Sequence, residues 1–174
     1  MKHSTRQFLP LLLLAALIVF MAIGIRSNNK KEAAVSPMIG REFPVMVING
    51  TETNLRADHQ VALINVFASW CAPCAIEQPA LVAFANQRVI AVKGLAWKDK
   101  VENMNAFLTQ RGNPYLQIAY DPMGDATLPL GLTGVPESFL VDKNGFIRYH
   151  SKQPLTAEIL NNEIMPLAME LQSE

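Results

Sequence analysis

Cysteine is nearly absent from this chain, two residues in 174, which excludes a small domain stapled by several disulfides. Charge is sparse and balanced, 15 Lys and Arg against 15 Asp and Glu, and half of the residues are apolar, the composition of a folded protein rather than a disordered one. The zero total hides an asymmetry. Lys2, Arg6, Arg26, Lys30 and Lys31 take five of the basic residues, and Glu32 is the only acidic residue before position 35; ten basic and fourteen acidic residues remain from Val35 onward, a net of −4. That balance argues against a nucleic-acid binder. No internal repeat and no low-complexity segment interrupts the chain. One compact domain follows, long enough to bury a core without covalent staples.

Residues 8–25 read FLPLLLLAALIVFMAIGI, without a charged side chain. As a helix rising ~1.5 Å per residue, such a run just spans a bilayer. Lys2 and Arg6 before it form the basic start shared by signal peptides and signal anchors, and the run is longer than the ~7–15 apolar residues of a cleavable signal. The expectation is therefore a short cytoplasmic N-terminus at 1–7, an uncleaved transmembrane anchor at 8–25 and a polar tether at 26–37. The folded domain then occupies 38–174. Arg26, Lys30 and Lys31 follow the span, so the charge rule by itself leaves the orientation open.

Within the domain, residues 45–48 form a short β-branched run ended by the turn pair Asn49-Gly50, and 61–67 (VALINVF) is continuously apolar, as in a central buried strand. A helix is expected over 71–88, with Ile76, Ala80, Ala83 and Phe84 as its apolar stripe and Pro79 kinking it. A strand at 89–97 and a helix at 100–110 carrying Val101, Met104 and Phe107 or Leu108 inward continue the β-α-β-α order, closed by Gly112 and Pro114. Strands at 138–141 and 146–149 flank Asp142-Lys143-Asn144-Gly145, a hairpin signal. A last helix spans 156–170, with Thr156 as N-cap, Ile159, Leu160 and Ile164 inward and a bend at Pro166. The predicted class is α/β: a mixed central sheet with helices on both faces.

Both cysteines fall in one motif, Trp70-Cys71-Ala72-Pro73-Cys74, where a buried strand turns into a helix. Unpaired backbone N–H groups and the positive end of the helix dipole favour an anion there, so the Cys71 thiol is expected below the ~8.5 of a free cysteine. Cys71 is the candidate nucleophile. Cys74, one turn deeper, is the candidate resolving thiol that attacks a mixed disulfide and releases the reduced partner. Other uses of the pair compete. Zinc needs about four ligands, and the chain offers this pair with His59 and His150 on the same side of the span; no metal site is expected. Covalent haem attachment requires His after the second cysteine, where Ala75 stands. A purely structural disulfide over so short a loop removes little unfolded-state entropy. Peroxide reduction is disfavoured by Ala68, three residues before Cys71, where Thr or Ser would be expected. His59 and His150 show no partner in sequence and read as surface histidines.

WCAPC after a buried strand, Pro79 five residues past Cys74, and Val135-Pro136 before a late strand resemble the thioredoxin superfamily. LINVFASWCAPCAIEQPAL, RGNPY at 111–115, GLTGVPESFLVDKNGFIRY at 131–149 and EIMPL at 163–167 are similar to the CcmG/DsbE family, the membrane-anchored thioredoxins of cytochrome c maturation. The resemblance covers about residues 38–170 and implies a thioredoxin-like fold behind one transmembrane helix. It implies a thiol-disulfide oxidoreductase that keeps the CxxCH cysteines of apocytochrome c reduced, directly or through a partner thiol protein. A transmembrane thiol reductase of the DsbD or CcdA type would reduce it in turn. The localisation implied is the inner membrane, with the domain in the periplasm, and no cofactor beyond a reversible Cys71–Cys74 disulfide.

The same resemblance makes Pro136 a cis proline facing the cysteines, with Trp70, Val135 and Pro136 contacting substrate. The alternatives are an ordinary trans proline and an indole used only for packing. Asn65 stands where ordinary thioredoxins bury an Asp. Glu77 and Glu137 occupy the acidic places of the cytochrome-specific branch, Glu77 as candidate proton acceptor for Cys74 and Glu137 as candidate tuner of thiol pKa. Solvated surface charges are the competing reading for both. Two other functions fit the same motif: a broader extracytoplasmic reductase of envelope proteins, and a non-catalytic module that binds apocytochrome by strand pairing.

Overall fold

The computed structural model describes Leu14 and residues 36–48, 51–56 and 59–174. The chain divides into two units, Met1–Ser36 and Pro37–Glu174. Apart from Leu14, the expected N-terminus, anchor and tether up to residue 35 lie outside the described residues, and so does the turn at 49–50. Among the described residues no helix is long and apolar enough to cross a membrane.

In the second unit, β1 (Met46–Ile48) pairs antiparallel with β2 (Thr51–Thr53). The elements β3 (Ala62–Phe67), α1 (Ala72–Ala85), β4 (Ala91–Trp97), α2 (Val101–Arg111) and β5 (Gln117–Asp121) follow in alternation. A 3₁₀ turn (Leu128–Leu130) precedes the hairpin of β6 (Glu137–Val141) and β7 (Ile147–Ser151). The C-terminal helix has three parts: α3 (Ala157–Ile159), a π-helical segment (Leu160–Ile164) and α4 (Met165–Ser173). The main sheet runs β5-β4-β3-β6-β7, with β3, β4 and β5 parallel and β6 and β7 antiparallel to their neighbours.

β3 is central and wholly buried, and its alternation divides the core. Leu63 and Phe67 face a cluster that takes Leu81 and Phe84 from α1, Phe107 and Leu108 from α2, and Leu160, Ile164 and Leu171 from the C-terminal helix. Ile64 and Val66 face a second cluster made by Phe43, Met46, Leu55, Leu130 and Phe139. The expectation of helices on both faces is thus corrected. Among the described residues every α-helix packs on one face; the other is covered by the segment around Phe43, the β1-β2 pair and the 3₁₀ turn. The cause is handedness: β3-α1-β4 and β4-α2-β5 step in the same direction across the sheet, and right-handed crossovers then place both helices on the same side.

Local expectations hold at several points. Thr156 caps the last helix, its hydroxyl accepting from the Ile159 N–H at 3.2 Å, and the Asp142 carboxylate accepts from the Asn144 and Phe146 N–H groups at the hairpin turn, each at 2.9 Å. A π-helical segment, Leu160–Ile164, stands just ahead of Pro166, where a proline without an N–H disturbs the regular ladder. The stripe assigned to α1 is corrected: Ile76 is 77% exposed, and the buried face is Cys74, Glu77, Gln78, Leu81 and Phe84. Val101 is likewise exposed, while Met104, Phe107 and Leu108 are buried.

Candidate active site

Cys71 sits between the end of β3 and the first turn of α1 with extended backbone angles, and its side chain is the N-cap of the helix. The Cys74 N–H donates to Cys71 Sγ at 3.1 Å, the bond that a serine or aspartate oxygen ordinarily accepts at this position. Pro73 supplies the fixed φ suited to a first helical turn. The two sulfurs form a disulfide, with Cα atoms 5.3 Å apart; Cys71 is 4% exposed and Cys74 fully buried. Only the first is within reach of a partner, as a nucleophile and a resolving thiol require.

The Val135–Pro136 peptide bond is cis. The Val135 carbonyl oxygen stands 3.4 Å from Cys71 Sγ, where the S–H of the open form would donate. Trp70 flanks the pair, 57% exposed, its indole N–H donating to the Lys98 carbonyl at 2.9 Å and its ring 6.4 Å from that of Trp97. Beneath it the Ser69 hydroxyl and the Lys100 N–H donate to the Asp99 carboxylate at 2.8 and 2.7 Å, which ties the loop before Cys71 to the turn before α2.

Glu77 lies one turn beyond Cys74 on the same buried face and is 2% exposed. Its carboxylate accepts from Asn65 Nδ2 at 2.9 Å and from the Leu155 N–H at 2.8 Å. Burial outweighs these two bonds and raises its pKa from 4.5 to about 7. Asn65 also donates to Ser138 Oγ at 3.0 Å and accepts from the Tyr115 hydroxyl at 2.7 Å. The Tyr115 hydroxyl is held well above its ordinary range by burial and by the nearby Glu77 charge. A solvated Glu77 is therefore ruled out.

Glu137, the first residue of β6 and next to the cis proline, is also buried. It accepts from the Thr133 N–H and hydroxyl, both at 2.7 Å, and lies 2.9 Å from His150 Nε2. Burial opposes its ionisation, but the His150 and Thr133 hydrogen bonds prevail and hold its pKa below the usual value. His150 corrects the surface reading: its side chain is 1% exposed and its ring stacks on Phe139 with centroids 4.3 Å apart. His59 is exposed.

Sequence reasoning missed Asp99, Thr133 and His150 as supports of the site. The sequence carries a signal for Tyr115, the last residue of the GNPY stretch, and for Thr133, inside the quoted 131–149 stretch, but none for Asp99 or His150. The structure brings Trp70, Cys71, Cys74, Val135 and Pro136 together, with Glu77 below the helix, and directs Glu137 to Thr133 and His150.

The family model for redoxin matches residues 38–164, the whole sheet and both cysteines. A thiol:disulfide interchange protein DsbE from Xylella fastidiosa is 32% identical, covering 99% of this chain and 93% of its own. The chain belongs to the redoxin family, in its DsbE branch. HelX of Rhodobacter capsulatus, also a thiol:disulfide interchange protein, is 34% identical over 92% of this chain and 94% of its own. Among solved structures, the thioredoxin domain of a thiol-disulfide oxidoreductase from Bacteroides vulgatus superposes with a TM-score of 0.64 at 20% identity, covering 76% of this chain and 99% of that one. The fold is thioredoxin-like, and the Cys71–Cys74 disulfide is the redox pair of a thiol:disulfide oxidoreductase.

Proposed function

We propose that this protein is a reductant of cytochrome c maturation, held in the inner membrane by residues 8–25 with its domain in the periplasm. It reduces the CxxCH cysteines of apocytochrome c, or those of a partner thiol protein, and is re-reduced by a transmembrane dithiol protein of the DsbD or CcdA type. The observation that carries this reading is Glu77: a buried carboxylate with a pKa of about 7, bonded to Asn65 and one helical turn from Cys74. A group that is part carboxylate at neutral pH can take a proton from the resolving thiol. Negative charge near the pair also disfavours the Cys71 thiolate, and oxidants are the members that stabilise that thiolate strongly.

In the proposed reaction, the Cys71 thiolate attacks one sulfur of the partner's disulfide. A Cys71–partner bond forms, the partner's S–S bond breaks, and its other sulfur leaves as thiolate. Cys74 then gives up its proton and attacks Cys71 Sγ, which breaks the mixed disulfide and frees the second partner thiol. The partner gains two electrons and two protons, and the chain is left with the disulfide of this structure. An extended partner can pair with the backbone at Val135 while its sulfur is joined to Cys71.

An equilibrium redox titration of the full-length chain in detergent, read by thiol trapping, tests this reading. A potential at or below the glutaredoxin range of about −200 to −230 mV is expected. A value near about −120 mV would make the protein a disulfide donor instead.

A further inference from the structure

Helix α1 has an outer face without charge. Its exposed positions are Ala72, Pro73, Ile76, Pro79 and Ala83, and its single charged residue, Glu77, points inward. A surface helix ordinarily carries charged side chains on that face. The first turns of the face form one wall of a groove of about 470 Å³ lined by Trp70, Cys71, Ala75, Ile76, Phe107 and Arg111. The far wall is α2. There the Arg111 guanidinium lies 5.8 Å from the centre of the Phe107 ring, and its Nη1 donates to the Ala75 carbonyl at 3.5 Å. Arg111 forms no ion pair among the described residues.

Two surfaces therefore meet at Cys71. Val135, which does not line the groove, offers a main-chain acceptor, and main-chain pairing is indifferent to most side chains. The groove offers an apolar floor and one cation. Because Cys71 itself lines it, a chain joined to Cys71 begins at its mouth, and the neighbouring residues of that chain are held there at high effective concentration. We propose that the groove selects polypeptide partners: it takes an apolar side chain within two residues of the cysteine that bonds to Cys71, and Arg111 pairs with an acidic residue beside it. This rests on the reductase reading above and adds the sequence the reductase prefers.

The test uses the full-length chain in detergent micelles, reduced with a small dithiol, and four disulfide-bonded peptides that differ only beside the reactive cysteine: Ile-Glu, Ile-Lys, Ser-Glu and Ser-Lys. Stopped-flow rates are compared as ratios within one protein, which a general loss of folding or activity does not move. Ile should be preferred over Ser by roughly tenfold, the low end of discrimination by an apolar pocket. Glu should be preferred over Lys, less so at high salt. Ile76→Ser should bring the Ile/Ser ratio close to one, Arg111→Glu should invert the Glu/Lys ratio, and Arg111→Lys should keep its sign. Ratios left unchanged by these variants overturn the proposal. If the chain oxidises dithiol peptides rather than reducing disulfides, the reductase reading falls and the same ratios, taken in that direction, judge the groove separately. No reaction with any peptide overturns both.

Discussion

Asn65 donates an amide hydrogen to the Glu77 carboxylate over 2.9 Å and so ties the central strand to the helix that carries both cysteines. The same side chain reaches Ser138 in β6 and Tyr115 beyond α2. A buried polar group left unpaired costs about 1–3 kcal/mol, so these partners hold one another in a single arrangement.

Stability should depend on pH through Glu77. Its pKa is about 7 in the folded chain against an ordinary 4.5, so between those values the folded state keeps a proton that the unfolded state has lost. Its contribution is fully present below about pH 4.5 and declines as pH rises, by about 3 kcal/mol once pH passes 7. Urea denaturation of Glu77→Gln should lack this slope between about pH 5 and 7. An identical slope in both proteins would show that Glu77 is not the group responsible.

The two cysteines should fail differently. Cys74→Ser leaves an attacking thiol without its resolver, so a mixed disulfide with a peptide disulfide should accumulate to nearly one per chain. Cys71→Ser should form almost none, because Cys74 is fully buried. Mass spectrometry under non-reducing conditions distinguishes them, and equal trapping by both variants would reverse the assigned roles.

His150→Ala removes one hydrogen-bond partner of a buried carboxylate that keeps its two bonds from Thr133, and should destabilise the fold by about 1–3 kcal/mol at pH 7. Glu137 is held below its usual pKa, so its stabilising contribution is present above that ordinary value and is lost as pH falls through the folded one. Glu137→Gln should therefore lack the fall in stability that wild type shows as pH drops below about 4.5. Thermal melts of the two proteins across that range measure it, and identical acid slopes would show that Glu137 is not the group responsible.

Gly94→Ala should disturb the Asn65 cluster from the sheet side. A Cβ there would lie 2.9 Å from Tyr115 Cγ and 3.0 Å from Phe67 Cε1, in a stack whose ring centroids are 4.7 Å apart. Overpacking of this kind costs about 1–3 kcal/mol. At Gly134 an added Cβ meets nothing within 4 Å, and Gly134→Ala should change stability by less than about 0.5 kcal/mol. Equal denaturation midpoints for the two variants would show that the Tyr115 stack yields freely.

What the sequence makes legible is local. The β3 run, the WCAPC turn into α1, the Asp142–Gly145 hairpin and the Thr156 cap each depend on neighbours a few residues away. The corrections come from partners far along the chain. Ile76 fits an apolar period, yet the inward face of α1 carries Glu77 and Gln78, because Asn65, Leu155 and the Gly112 carbonyl wait there to bond them. His150 meets Glu137 across the β6-β7 hairpin, 13 residues away. β5 went unread because a five-residue strand between Pro114 and Pro122 has too short a period to stand out.

One sulfur of the redox disulfide, that of Cys71, is also the group that closes the first turn of α1. An anionic acceptor bonds an N–H more strongly than a neutral one, so the Cys74 amide is held more tightly by the Cys71 thiolate than by the same sulfur in a disulfide. Each catalytic cycle thus tightens and slackens the start of the helix on which the groove and Glu77 are carried. Deuterium exchange at that single backbone amide should therefore be slower in the reduced protein than in the oxidised one, a gauge of oxidation state read from the main chain itself without an attached dye.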